Sequence, residues 1–139
     1  VNNMIDDSLR IMLVEDHPFQ LKATQCLLES YGFIHLTTSD CATGALQHML
    51  RAEQPFDILL CDQCLPEVSG IDLIKIASHR GMIKQAILLS SLTSTELREL
   101  EMMALLNGLP LLGCLIKPLK QCELSRLLKL IPHPPNRPR

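Results

Sequence analysis

Five short apolar runs punctuate this chain, and each gives way to a stretch whose apolar residues recur at helical spacing. Arg10–Val14, Ile34–Ser39, Asp57–Cys61, Ala86–Ser90 and Leu111–Ile116 read as strands. The second is rich in Thr, as suits an edge, and Asp57–Cys61 is continuously apolar, like a strand covered on both faces of a parallel sheet. Pro18 suits the first position of a helix that stops at Gly32 after Tyr31. Ala42, Ala45, Leu46, Met49 and Leu50 share one face of a second helix, capped by Ser39 or Asp40 and broken by Pro55. A loop with Pro66 and Gly70 leads into a short helix through Ile71, Ile74 and Ala77. Thr93 and Glu96 have capping-box spacing ahead of Leu97, Leu100 and Ala104, and Leu124, Leu127, Leu128 and Ile131 stripe the last helix. Strict strand–helix alternation with short connections requires right-handed crossovers, hence a doubly wound (βα)5 parallel sheet of flavodoxin-like order 2-1-3-4-5.

In such a sheet ligands bind beyond the carboxyl ends of the strands, at the switch point between the first and third. Polar residues stand at those ends: Glu15-Asp16 after the first run, Asp62 after the third, Ser90 closing the fourth and Lys117-Pro118 after the fifth. Three carboxylates at one edge repel one another, a conflict that a bound divalent cation removes. Oxygen-only ligands with an open face favour Mg2+, which keeps several waters and accepts phosphate oxygens. Asp62 can then act as a carboxylate nucleophile toward a phosphoryl group, with Lys117 neutralising charge and the Ser90 hydroxyl donating to a phosphoryl oxygen. Simpler roles compete: Glu15-Asp16 could merely favour a helix dipole, and Ser91 and Thr93 compete for the hydroxyl role. His17 beside them reads as an exposed loop residue.

The 139 residues suit one domain, 47% hydrophobic and 20% charged, with a formal charge of -2 that leaves no basic footprint for nucleic acid. No apolar stretch approaches the roughly 18 residues of a membrane span. Residues Val1–Asp7 are polar and acidic, unlike a secretory signal, so the expected location is cytoplasmic. Without that signal the six cysteines read as reduced thiols, with Cys26, Cys61 and Cys114 inside apolar runs. Cys61-x-x-Cys64 admits a thiol redox module, but Cys61 ends a strand and Pro66 follows, and no second close pair completes a zinc site. Residues 1–9 are set apart as an N-terminal extension, 10–131 as the domain, and the proline-rich 132–139 as a tail or the start of a linker.

Val14-Glu15-Asp16-His17-Pro18, Asp62-Gln63-Cys64-Leu65-Pro66 with Gly70, Leu89-Ser90-Ser91 and Lys117-Pro118 together resemble the receiver domain of bacterial two-component response regulators. The resemblance implies a phosphoprotein of phosphorelay signal transduction, in which Asp62 takes phosphate from a histidine kinase or histidine phosphotransfer protein. It implies that Asp16 and Asp62 bind Mg2+ directly, Glu15 through water, and Cys64 through its backbone carbonyl. Lys117 would pair with phosphorylated Asp62, and the Lys117-Pro118 bond would be cis. Such a domain is a signalling module and no enzyme beyond its own phosphorylation and dephosphorylation.

The segment Ile87–Leu127 is further similar to receivers that precede an EAL-type cyclic-di-GMP phosphodiesterase, an effector absent from this chain. The leucine-rich fourth and fifth helices offer a face for a homodimer. The chain departs from the family pattern in two respects. Cys114 stands where receivers carry an inward-turning aromatic residue, and no aromatic residue follows Phe56. The switch is therefore expected to run through backbone shifts and the Ser90 loop, and a phosphorylation-independent interaction domain is the alternative. Cys64 and Leu92 occupy positions that influence the attacking water, and neither orients water well, which implies a long-lived phosphorylated form.

Overall fold

A computed structural model describes residues 8–132; most of the N-terminal extension and all but the first residue of the proline-rich tail lie outside the described residues. Five parallel strands, β1 (Arg10–Val14), β2 (His35–Ser39), β3 (Phe56–Asp62), β4 (Ile83–Ser90) and β5 (Leu111–Ile116), form one sheet in the order β2-β1-β3-β4-β5. Between and after them run α1 (Pro18–Ser30), α2 (Ala42–Arg51), α3 (Gly70–His79), α4 (Ser94–Leu106) and α5 (Gln121–Leu128). This is the flavodoxin-like architecture expected from the alternation. No described helix is long and apolar enough to cross a membrane.

The two-residue period of the strands divides the core into two layers. Met12, Val14, Leu59, Cys61, Ala86 and Leu88 face α2, α3 and α4, where they meet Ala45, Met49, Ile74 and Ala104. Ile11, Leu13, Ile58, Leu60, Ile87 and Leu89 face the other way, toward Leu28 of α1 and Leu124 of α5. Both faces of the central strands are thus covered, which is why residues 58–61 and 86–89 are apolar at every position rather than at alternate ones.

Strand limits shift where ladder pairing outruns the apolar pattern. β4 begins at Ile83, three residues before the apolar run, because Ile83 pairs with Phe56 and Phe56 N–H donates to the Met82 carbonyl. Lys84 precedes the run but lies on the strand, paired with Asp57 at 3.1 Å. β3 reaches from Phe56 to Asp62, so Asp62 is the last residue of the strand itself, in register with Leu89.

Helix ends follow local chemistry with one exception. Pro18 opens α1, and Gly32 just past Tyr31 takes a φ of 103°, a conformation glycine adopts without strain. Thr93 and Glu96 exchange capping-box bonds: the Glu96 N–H donates to Thr93 Oγ1 at 3.3 Å and the Thr93 N–H to Glu96 Oε1 at 3.1 Å. The exception is α2, whose cap is neither Ser39 nor Asp40 but Cys41. Ser39 remains on β2 opposite Val14, and its hydroxyl donates to the Cys41 carbonyl.

All six cysteines are free, and of the three inside apolar runs only Cys61 is buried; Cys26 is exposed on α1 and Cys114 half-buried on β5. The Cys26 expectation fails because the helical period carries it away from the face that buries Thr24 and Leu28.

Gly70 opens α3 hard against the end of β3. A Cβ there would lie 2.5 Å from the Asp62 carbonyl oxygen, 2.7 Å from Leu88 Cδ2 and 2.9 Å from Gln63 Cα. Two of these neighbours are backbone and cannot rotate away. Gly70→Ala is therefore expected to lower stability by about 1–3 kcal/mol, as overpacking does; urea denaturation with an unchanged midpoint would count against this packing.

Candidate functional site

Four strand ends and the loops after them build the site at one rim of the sheet. Glu15 and Asp16 follow β1, Asp62 ends β3, Ser90 ends β4, and Lys117 follows β5. Backbone bonds lock the strand ends: Glu15 N–H donates to the Ser39 carbonyl, Gln63 N–H, next to Asp62, to Leu89, and Lys117 N–H to Ser90. The ladders therefore fix the heights of these residues before any side chain acts. Carboxylate oxygens of Glu15, Asp16 and Asp62 lie within 4.8 Å of one another.

The Lys117 ammonium binds the cluster together. Nζ donates to Glu15 Oε1 at 2.6 Å, Gln20 Oε1 at 2.8 Å and Asp62 Oδ2 at 3.1 Å. An ammonium has three N–H donors, and each has an acceptor here. Asp62 Oδ1 accepts the Cys64 N–H at 3.1 Å, and Glu15 Oε2 accepts the His17 N–H at 3.1 Å. The Lys117-Pro118 peptide is cis.

Burial sets the electrostatics. Glu15 and Asp62 are buried, whereas Asp16 is exposed and leaves the cluster open on one side. Burial raises the Glu15 carboxyl above its ordinary value, with Asp62 adding to the rise and the bonds from Lys117 and His17 opposing it. Burial would lower Lys117, but its bonds to Glu15 and Asp62 outweigh this, and its value is raised. The stability from Lys117 is thus whole below the ordinary lysine value and lost as pH rises through the higher folded one. Glu15 has the same sense at lower pH: its raised value means that stability falls as pH rises through the carboxylate range and the buried carboxyl ionises. Three carboxylates against one ammonium leave a formal charge of -2. An oxygen-only donor set with that deficit and an open side fits a hard divalent cation such as Mg2+.

Ser90 is fully buried, one residue beyond the Leu89 that pairs with Asp62, and its Oγ accepts the Leu92 N–H at 2.9 Å. Its competitors are placed elsewhere: Thr93 Oγ1 is engaged with Glu96, and Ser91 is exposed. His17 is exposed, as expected of a loop histidine. Cys64 is exposed beside Asp62, while burial pushes the Cys61 thiol up and out of thiolate chemistry. Cys114 borders an open groove of about 260 Å³ between α4, β5 and α5, with Leu97, Arg98, Ile116 and Arg126. Its N–H donates to Glu101 Oε2 at 3.1 Å, and burial raises its thiol to about 12.

A response regulator receiver domain model matches residues 11–129. The chain belongs to that family. Among curated proteins it is similar to the rice two-component response regulator ORR1. The Oryza sativa subsp. indica protein is 29% identical over 133 residues, which cover 88% of this chain and 55% of that protein. The japonica protein is 33% identical over 82 residues, covering 54% of this chain and 36% of that one. The chain thus spans about half the length, or less, of these curated relatives. Solved structures agree in fold. A response regulator receiver domain from Clostridium thermocellum superposes with a TM-score of 0.70 at 21% identity, covering 87% of this chain and 91% of that one. The signal receiver domain of an HD domain-containing protein from Pseudomonas fluorescens Pf-5 gives 0.69 at 26% identity, covering 88% and 93%.

Two residues of this receiver's rim escaped the sequence reading. Gln20 supplies the third acceptor for Lys117, and its place near the start of α1, just after the acidic pair, was the available signal. Gln63 uses its side-chain oxygen to accept the Ile71 N–H at 2.9 Å, and only the loop conformation reveals that bond. Lys117→Met removes the ammonium and leaves two buried carboxylates facing each other. The expected loss is about 2–3 kcal/mol, below the figure for a wholly buried pair because Lys117 keeps some contact with water. Chemical denaturation at neutral pH should show it, and millimolar Mg2+ should recover part of it.

Proposed function

We propose that Asp62 is the phosphoacceptor of this receiver and that Glu15, Asp16 and Asp62, with the Cys64 backbone carbonyl, hold Mg2+. The observation that carries this is the meeting of Lys117 Nζ with Asp62 Oδ2 at 3.1 Å, inside a carboxylate cluster spanning less than 4.8 Å. When bound, Mg2+ would supply neutralisation of phosphoryl charge. Asp16 and Asp62 would bind it directly and Glu15 through water. A carboxylate oxygen of Asp62 forms a bond to phosphorus as the P–N bond to the donor histidine breaks, giving an acyl phosphate. Lys117 shifts from Asp62 Oδ2 to a phosphoryl oxygen while keeping Glu15 and Gln20. Ser90 donates its hydroxyl to another phosphoryl oxygen.

The donor is a histidine kinase or histidine phosphotransfer protein, as membership of the family implies. The domain acts by changing its surface, and its own chemistry is limited to gaining and losing phosphate. With Cys114 in place of an aromatic residue, the change reaches the α4–β5–α5 groove through the Ser90 loop, since Lys117 N–H is bonded to the Ser90 carbonyl. We assign residues 10–131 to the receiver and 132–139 to the tail or linker. The similarity of Ile87–Leu127 to receivers of EAL-type cyclic-di-GMP phosphodiesterases suggests that effector class, in a bacterial cytoplasm. The exposed leucines of α4, Leu105 and Leu106, support a homodimer face. The Cys114 substitution also supports a second reading, a receiver that signals through its partner surface without phosphate.

Incubation with acetyl phosphate and Mg2+ followed by intact-mass spectrometry is expected to add one phosphoryl group, absent in Asp62→Asn and without Mg2+. No adduct on the parent chain, together with partner binding that ignores the donor, would establish the second reading instead. Cys64 and Leu92 give the attacking water little to bind, so the phosphorylated form should be long-lived. Cys64→Asn is expected to shorten its half-life several-fold in a dephosphorylation time course; an unchanged half-life sinks that inference.

A further inference from the structure

The loop between β3 and α3 is fastened at both ends, and the outer fastening uses a residue with no part in the chemistry above. At its root, the Gln63 carbonyl accepts the Gly70 N–H at 2.9 Å and the Gln63 side chain accepts the Ile71 N–H. Midway, Leu65 is buried in the core layer of α2 and α3. At the tip, Glu67 reaches α2: Oε1 accepts the Ala42 N–H at 2.9 Å and the Thr43 N–H at 3.4 Å, and Oε2 accepts the Thr43 hydroxyl at 3.0 Å.

α2 has a vacancy that this carboxylate fills. Its first turn holds no acidic residue, and its own cap is the Cys41 thiol, a weak acceptor, 3.3 Å from the Gly44 N–H. A carboxylate on the free N–H groups of a first turn is favoured by both hydrogen bonding and the helix dipole. Glu67 thus finds on α2 a docking point that the local sequence of α2 leaves poorly satisfied. The chain between the two fastenings carries Cys64, whose N–H orients Asp62 Oδ1.

We propose that Glu67 is a positioning residue of the phosphoacceptor site, holding the β3–α3 loop against α2 so that the Cys64 peptide stays aligned with Asp62. This rests on the Mg2+-dependent phosphoacceptor role given above. Outer contacts that orient metal ligands typically affect affinity by about 10–100-fold, and a tether acting through three residues of loop belongs at the lower end.

The test is Mg2+ titration by isothermal calorimetry on the full chain without any phosphodonor, alongside thermal melting in EDTA. Glu67→Ala is expected to bind Mg2+ about 10-fold more weakly than the parent. Adding Cys41→Ser supplies α2 with a better cap of its own, and should restore the melting temperature but not the Mg2+ affinity. Parent-like affinity in Glu67→Ala overturns the proposal, and so does affinity that returns together with melting temperature in the double variant. If Glu67→Ala alone does not fold, the double variant with Cys41→Ser carries the measurement, and parent-like Mg2+ affinity there overturns the proposal equally. A parent chain that binds no Mg2+ and takes no phosphate removes the site assignment itself, a result distinct from a sound site indifferent to Glu67.

Discussion

The Lys117 ammonium is the contact on which the rest of the rim depends. Two buried carboxylates, Glu15 and Asp62, face each other across the switch point, and burial alone would drive at least one of them to hold its proton. A single cation bonded to both keeps a dense patch of negative charge at the edge of an apolar sheet. The ammonium offsets only part of that charge, and the remaining deficit suits the divalent cation and the phosphoryl group proposed for the rim. A rim fully neutralised by its own lysines would be more stable and would have no use for either.

The fold supplies this arrangement through backbone pairing rather than side-chain packing. Parallel ladders bring β1, β3, β4 and β5 to a common height, and N–H bonds across their ends fix Glu15, Gln63 and Lys117 in turn. Both faces of the sheet are sealed by helices, so the rim is where polar groups on the central strands can meet water. Gly70 belongs to the same design: α3 begins so close to the end of β3 that no side chain fits between them. The loop carrying Cys64 is thereby short, closed at its root and tied at its tip to α2.

At the opposite face of the signalling problem lies the α4–β5–α5 groove. Cys114 fills less space than an aromatic ring, and its backbone N–H is held by Glu101 from α4. The bond between the Lys117 N–H and the Ser90 carbonyl joins the end of β4 to the end of β5, between the rim and this groove. The switch proposed for this receiver would move backbone, with no ring to turn.

The order of elements, the two-faced burial of the central strands and the placing of Glu15, Asp16, Asp62, Ser90 and Lys117 at strand ends on one rim were all legible in the chain. Each is encoded by neighbouring residues: periods of two and 3.6, a proline or glycine at a boundary, a polar residue closing an apolar run. What tertiary structure alone decided were the partners. Lys117 finds Glu15 across 102 residues and Asp62 across 55, and Glu67 accepts the first N–H groups of α2, 25 residues before it, beside the Cys41 cap. The start of β4 at Ile83 was likewise set by its pairing with Phe56 rather than by its own hydrophobicity. Local pattern fixes which residues can reach the rim; hydrogen bonds and ion pairs form only after the crossovers have chosen who stands opposite whom.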